Sequence, residues 1–319
     1  MRALLAADPP SEPPRAALRW NDVTVEPDVE LVRALLREQF PRWGDEVISP
    51  VPHQGWDNRT FRIGEHLAAR LPSAQGYAAA VAKEWRWLPW LAPRLPQATP
   101  SPVERGHPGC GYPWEWSIYE WIAGEPVRLD ELDDVEGLAE DVGGFLAALH
   151  RVDTSDGPAA GEHSGWRGGP LSHYDQDTRS TIDLLGRSID GAAALRTWEA
   201  ALAAPPSRRV RWVHGDLAAS NLLVRDAGRL VAVIDFGCCA VGDPACDLVP
   251  AWTMFSGPSR AAFERTLGVD ESDWERARGW ALWKALLTRA ESADGTAERR
   301  YGWRCSAADL LIELIAPAS

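Results

Sequence analysis

The chain predicts an α+β fold in two lobes, and three observations carry that expectation. Short β-rich runs crowd the first third of the chain. Helical periodicities fill most of the remaining two thirds. Between them the aromatic, β-branched run Glu115 to Ile122 stops at Ala123-Gly124-Glu125-Pro126, a break suited to a hinge. Strands first and helices after is the order of an α+β fold rather than of a parallel sheet alternating with helices. At 319 residues the chain is larger than a usual single core, which either one large domain or two lobes would accommodate. The break sets an N-terminal lobe over 23–122, a C-terminal lobe over 123–319 and a hinge near 119–125. Residues 1–22, with Pro9, Pro10, Pro13 and Pro14 among Ala and Glu, are a poor core-former and are expected to be a disordered tail.

Along the N-terminal lobe, Val29, Val32, Leu35, Leu36 and Phe40 recur at helical spacing after Asp28, and Pro41 ends the run. Val47 to Val51, Thr60 to Ile63 and Leu67 to Leu71 read as short strands. The polar turn from His53 to Thr60 holds Gly55 and Asn58, and serves either as an ordinary hairpin turn or as a loop whose amides approach a phosphate. Tyr77, Val81, Glu84, Trp85 and Leu88 mark a helix ending near Pro93. If the strand carrying Arg70 packs beside it, Glu84 reaches the guanidinium; otherwise the two are surface charges. Leu138, Val142, Phe145, Leu146 and Leu149 form a helix ending in His150, a position where histidine is more often structural than a ligand. Residues 153–172 lack periodicity and are expected as a long loop. Helical windows come next at 173–187, 192–203, 258–267, 273–289 and 296–315.

Composition narrows the classes. With 45% apolar and 25% charged residues the chain reads as globular. It has no apolar run of about 18 residues to span a membrane. Its N-terminus has too short an apolar core for a secretory signal, so the expected location is the cytoplasm. A formal charge of −13 argues against a nucleic-acid partner and favours a cationic small molecule. Cys110, Cys238, Cys239, Cys246 and Cys305 are odd in number and lack paired ligand spacing, which disfavours disulfides and zinc and suggests small buried thiols. Lys83 and Lys284 are the only lysines.

The chemistry concentrates in residues 210–247. Arg211 to Val213 is a short strand, His214 to Ser220 a loop and Leu222 to Val224 a second strand. Asp226-Ala-Gly228 then closes a hairpin into Leu230 to Ile234. Asp216, Asn221 and Asp235 fall at neighbouring strand ends facing one cleft. Two carboxylates and an amide there suit a general base and an oxygen-ligand site for Mg²⁺.

The ordered motifs His214-Gly-Asp216-Leu-x-x-x-Asn221, Val233-Ile-Asp235-Phe-Gly237 and Gly242-Asp243-Pro-x-x-Asp247-Leu248 resemble the aminoglycoside phosphotransferase family over roughly residues 45–300. That family includes macrolide, choline, homoserine and fructosamine kinases. The resemblance implies a protein-kinase-like fold, with a small antiparallel-sheet N-lobe and a larger, mainly helical C-lobe. It implies that Asp216 is the catalytic Asp, supported by His214, and that Asn221 and Asp235 bind Mg²⁺. Gly55 and Asn58 then belong to the nucleotide-positioning loop, and Glu120 and Ile122 to a hinge whose backbone meets the purine of ATP or GTP. Arg70, paired to Glu84, stands where the family has a phosphate-binding lysine; its forked donor set is also competent for phosphate. Asp247 is similar to a family residue that braces the catalytic loop.

The first expectation is a kinase for a hydroxyl of a small molecule acting as monomer or homodimer, with an aminoglycoside as leading acceptor. Glu264, Asp270, Glu271, Asp273, Glu275 and Glu291 in the tail suit a polycation. Trp274, Trp280, Trp283 and Trp303 suit the alternative, a macrolide or an amino alcohol such as choline. A kinase-like binding protein without transfer activity is the second class.

Overall fold

The computed structural model describes residues 24–316 apart from 53, 56, 227, 292–297, 299 and 300, so the tail over 1–22 lies outside the described residues. Helix α1 (Val29–Gln39) starts where Asp28 accepts a hydrogen bond from the Leu31 N–H at 2.8 Å, and it buries Val32, Leu35 and Leu36. These residues pack on a five-stranded antiparallel sheet: β1 (Ile48–Pro50), β2 (Asn58–Ile63), β3 (Leu67–Pro72), β4 (Pro102–Gly106) and β5 (Trp116–Glu120), in the order β1-β2-β3-β5-β4. Strand β4 is absent from the sequence-based expectation. It is an edge strand that opens on a proline and carries Glu104 and Arg105, so it has no apolar face to give it away.

Register decides which side chains meet. Arg70 sits mid-strand opposite Thr60 of β2 and Ser117 of β5. Helix α2 (Gln75–Leu91) comes after β3 and buries Val81, Glu84, Trp87, Leu88 and Leu91; its apolar C-terminal half belongs to the large core of the second lobe.

That lobe is built on helices α3 (Val135–Leu149), α4 (Asp175–Leu185), α5 (Gly191–Ala203), α6 (Pro250–Thr253), α7 (Gly257–Thr266), α8 (Glu271–Glu291) and α9 (Ala307–Ile315). Phe145, Trp198, Trp212, Phe236, Phe263 and Trp280 are buried at its centre. Two small sheets face the first lobe. β6 (Glu125–Pro126) pairs with β8 (Leu222–Arg225), which pairs with β9 (Arg229–Val233) across a turn with positive φ at Asp226 and Gly228. β7 (Arg211–Val213) pairs with β10 (Ala240–Gly242), a strand too short to leave a pattern in sequence.

Two expectations need correction. The window over 296–315 is not one helix: Gly302 turns with φ +64°, and α9 begins only after Ser306, whose side chain accepts from the Asp309 N–H. Cys110 is exposed, and only Cys239 and Cys246 are fully buried; all five thiols are free. The predicted loop 153–172 is present but fixed. Val241 donates to Pro158 O at 2.7 Å and Asp243 to Gly168 O at 2.7 Å. Gly242 presses so closely on Gly168 that an added Cβ would lie 2.1 Å from its carbonyl oxygen. His150 caps α3, is buried, and is structural. No described helix is long and apolar enough to cross a membrane.

Candidate active site

The site forms where β7, β8 and β9 end beneath β3 and α2. After β7 the chain turns at His214-Gly215-Asp216, and Asp247 holds the turn from below. The buried Asp247 carboxylate accepts the His214 N–H at 2.6 Å and the Gly215 N–H at 2.7 Å. Burial raises its pKa above the usual carboxylate range, opposed by His214 and these two amides. Gly215 adopts φ +86°, and a side chain there would strike the Cys238 carbonyl at 2.6 Å, so glycine is required.

His214 is fully buried. Its Nδ1 accepts the Asp216 N–H at 3.3 Å and its Nε2 lies 3.0 Å from Ile234 O, which assigns the Nε2–H tautomer. Both ring nitrogens are thereby engaged with the backbone, and His214 ties the Asp216 turn to the end of β9. Asn221 donates Nδ2–H to Asp216 O at 2.9 Å, and its own backbone carbonyl receives the Ile234 N–H at 2.9 Å. The chain next to Asp235 is thereby tied to the loop that carries Asp216 and Asn221. Asp235 stands at φ +67°, unusual outside glycine, stabilised as its Oδ1 accepts from the Gly237 N–H at 3.4 Å.

Arg70 closes the site from above. Its guanidinium lies 3.2 Å from Glu84 Oε1 and 3.0 Å from Asp235 Oδ1, so it joins strand, helix and the Asp235 turn. Burial works against its charge, but the Glu84 and Asp235 carboxylates outweigh it and hold the pKa above the ordinary value. Tyr119 donates its hydroxyl to Glu84 Oε2, a partner that sequence reasoning missed. A buried tyrosine in an aromatic strand needs such an acceptor, and that was the available signal.

The remaining predicted residues are more loosely placed. Asn58 opens β2 opposite Pro72. Gly55 has no positive φ, and among the described residues an added Cβ would meet only Asn58 O at 3.6 Å, so neither backbone strain nor crowding by them calls for glycine there. Glu120 ends β5 and donates its N–H to Ser101 O at 3.0 Å, while Trp121 donates to His66 O at 2.7 Å. No backbone acceptor takes the Ile122 N–H among the described residues.

Four further side chains converge on the same cleft. Lys284, from α8, puts Nζ 3.0 Å from Asp216 Oδ1. Arg167, delivered by the fixed loop, stacks 4.4 Å from the Trp283 ring centre and bonds the Tyr174 hydroxyl at 3.0 Å. Burial would raise the Asp216 pKa, but Lys284, then Arg167, hold it below the usual carboxylate range. Asp57, immediately before β2, is pushed up to about 7, first by burial and then by the charges of Asp235 and Asp216. Lys83 spans the lobes to His163 O at 2.8 Å. Burial pushes the Cys238 and Cys239 thiols up to about 12, which leaves them protonated and unreactive.

A two-lobed α+β fold with a small antiparallel sheet above this strand-end cleft defines the protein-kinase-like class. Within it, residues 48–280 match the family model described as the phosphotransferase enzyme family, and the chain belongs to that family. Solved structures agree in fold. The GDP complex of an aminoglycoside 2'-phosphotransferase-IIIa superposes with a TM-score of 0.68 at 19% identity, covering 88% of this chain and 96% of that one. A streptomycin–ATP ternary complex of APH(2")-IIa gives 0.59 at 17%, covering 91% and 97%. A macrolide 2'-phosphotransferase from Brachybacterium faecium, an apoenzyme, gives 0.56 at 23%, covering 86% and 96%. No curated protein matches the chain in sequence.

Proposed function

We propose that this phosphotransferase moves the γ-phosphoryl group of ATP or GTP to a hydroxyl of a small molecule, in a cleft between lobes 23–122 and 123–319 hinged near 119–125. The observation that carries the reading is one continuous set of contacts, Glu84–Arg70–Asp235 above and Asp247–His214–Asp216–Asn221 below, with the carboxylates of Asp216 and Asp235 both open to the cleft.

Asp216 accepts the hydrogen bond of the attacking hydroxyl and aims it. Held below the usual carboxylate range, it is ionised before transfer and acts mainly by orienting the hydroxyl, whose proton it takes only late in the step, which suits a loose transfer transition state. Asn221 and Asp235 fit Mg²⁺. The Asn221 side-chain oxygen and Asp235 Oδ2 have no hydrogen-bond partner among the described residues, and both are hard oxygen donors. Bound there, Mg²⁺ would neutralise phosphate charge. Arg70 is fixed to receive phosphate oxygens, and the Ile122 N–H and Glu120 carbonyl would meet the purine edge.

For the acceptor, aminoglycosides and macrolides both remain in view, and part of the acidic tail stands away from Asp216. Asp273 is buried against Arg276, and Glu275 and Glu271 lie about 14 and 20 Å along α8 from Lys284 at 1.5 Å per residue. The cations Lys284 and Arg167 stand beside Asp216 itself, which favours a less cationic group at the position that is phosphorylated.

The test is ATP and GTP consumption against aminoglycosides, macrolides and metabolite alcohols, with Asp216→Ala as blank. Acceptor-dependent turnover lost in that variant is expected. Signal persisting in the variant refutes the assignment of Asp216, and a wild-type chain showing no thermal shift with nucleotide, with or without Mg²⁺, refutes the kinase reading. A KM for an aminoglycoside that climbs steeply with salt would restore the polycation reading.

A further inference from the structure

We propose that Lys284 is a catalytic residue that neutralises the transferring phosphoryl group, an inference that rests on the phosphotransferase reading above. Phosphoryl transfer spreads negative charge over the equatorial oxygens of the moving group, and the protein's main task is to set cations there in advance. The catalytic loop itself supplies none: Leu217, Ala218, Ala219 and Ser220, between Asp216 and Asn221, carry no charge. Arg70 is committed to Glu84 and Asp235 on the nucleotide side. Arg167 is committed to Tyr174 and to the face of Trp283, and makes no hydrogen bond to Asp216.

Lys284 combines free donors with direct contact to Asp216, which Arg167 lacks among the described residues. Its Nζ is 3.0 Å from Asp216 Oδ1, and its side chain is 16% exposed where that of Asp216 is 43% exposed. The ammonium thus approaches the carboxylate from the protein side rather than as a solvated surface pair. Tyr301 lies beneath it at 5.5 Å, and the buried neighbours Trp283, Ala285 and Leu286 fix its stretch of α8. An ammonium has three N–H donors, and no hydrogen bond other than the one to Asp216 uses them among the described residues.

An acceptor oxygen bonded to Asp216 sits about 2.7 Å from the carboxylate, and the phosphorus it attacks about 3.3 Å further on. A small torsion of the lysine then brings Nζ to a phosphoryl oxygen without leaving Asp216. In the transfer step the bond from phosphorus to the β–γ bridging oxygen breaks and that to the acceptor oxygen forms. The acceptor proton passes to Asp216, and Lys284 keeps its own protons throughout.

The test uses MgADP with aluminium fluoride, a mimic of the moving phosphoryl group that needs no acceptor. In the full chain, fluoride is expected to tighten MgADP binding by about tenfold or more. Lys284→Met is expected to abolish that tightening while MgADP alone binds within about twofold of wild type, and to lower kcat about 30- to 300-fold at unchanged nucleotide KM. Lys284→Arg should recover part of both. A Lys284→Met or, should that variant not fold, Lys284→Gln chain that keeps the tightening and a kcat within about threefold overturns the proposal. A wild-type chain that binds no MgADP at all sinks the phosphotransferase reading and this inference with it.

Discussion

Two cations reach the cleft from opposite sides and are built in opposite ways. Arg70 rises from the middle of β3, and its fork is shared between Glu84, only 6% exposed, and Asp235. Lys284 descends from α8 to a single, half-exposed carboxylate. The first cation is over-determined: strand register, helix burial and two carboxylates fix it before any ligand arrives. The second keeps donors to spare. A buried charge network is set before any ligand arrives and suits the proposed nucleotide phosphates, while a singly paired ammonium suits the group that, on the proposal above, exists only during reaction.

Removing the carboxylate between the two cations should have the largest effect. Asp216→Asn is expected to lower kcat by about 10³-fold with an unchanged circular dichroism spectrum, because the side chain is half exposed and braces nothing in the core. Retention of most activity would show that Lys284 or the metal site suffices to aim the hydroxyl. Next comes Arg70→Ala, which strands Glu84 beside Asp235. A loss of about 3 kcal/mol in denaturant unfolding and a raised nucleotide KM are expected. Arg70→Lys should recover part of the stability, since one ammonium satisfies one carboxylate well but lacks the fork.

Below the cleft, Asp247→Asn leaves only one accepting oxygen for the His214 and Gly215 amides and turns an NH₂ toward the other. A loss of about 2 kcal/mol is expected by thermal or urea unfolding. An unaffected protein would mean that the loop holds itself. On the nucleotide side, Asp57 gives a pH signature. Its folded pKa, about 7, lies above the unfolded value, so the folded state binds the extra proton and stability falls as pH rises through that range. Asp57→Asn should therefore raise Tm above wild type at pH 8 and leave it nearly unchanged at pH 4, in metal- and nucleotide-free buffer. The smallest effect is expected at Gly55, where an alanine Cβ makes ordinary contact with Asn58 O at 3.6 Å among the described residues. Gly55→Ala should shift Tm by less than about 1 °C, and a large rise in nucleotide KM would instead identify this backbone as a phosphate contact.

Much of the fold was legible because its signals are local. Asp28 before an apolar 3-4 spacing announces α1, and the Asp226 to Gly228 turn closes β8 on β9 where positive φ is needed. Asp216, Asn221 and Asp235 were legible because short strands put their ends together and the loops between them are too short to go elsewhere. β4 and β10 were not, since an edge strand and a three-residue strand take their stability from a partner rather than from their own pattern. The Lys284–Asp216 contact was hidden for a related reason. A charge count has no direction, and α8 turns Asp273 onto Arg276 at one end while its middle brings Lys284 to Asp216.

The sequence by itself determined the strands and carboxylates of the cleft, because motif spacing and strand periodicity constrain neighbours within a few tens of residues; the phosphotransferase fold and the Arg70–Glu84 pair came from the family resemblance of its motifs. Only the tertiary structure decided that Arg70 also grips Asp235, 165 positions away, and that Lys284 reaches Asp216 across 68. Those contacts depend on how lobes and helices pack, and side-chain chemistry alone carries no record of that distance.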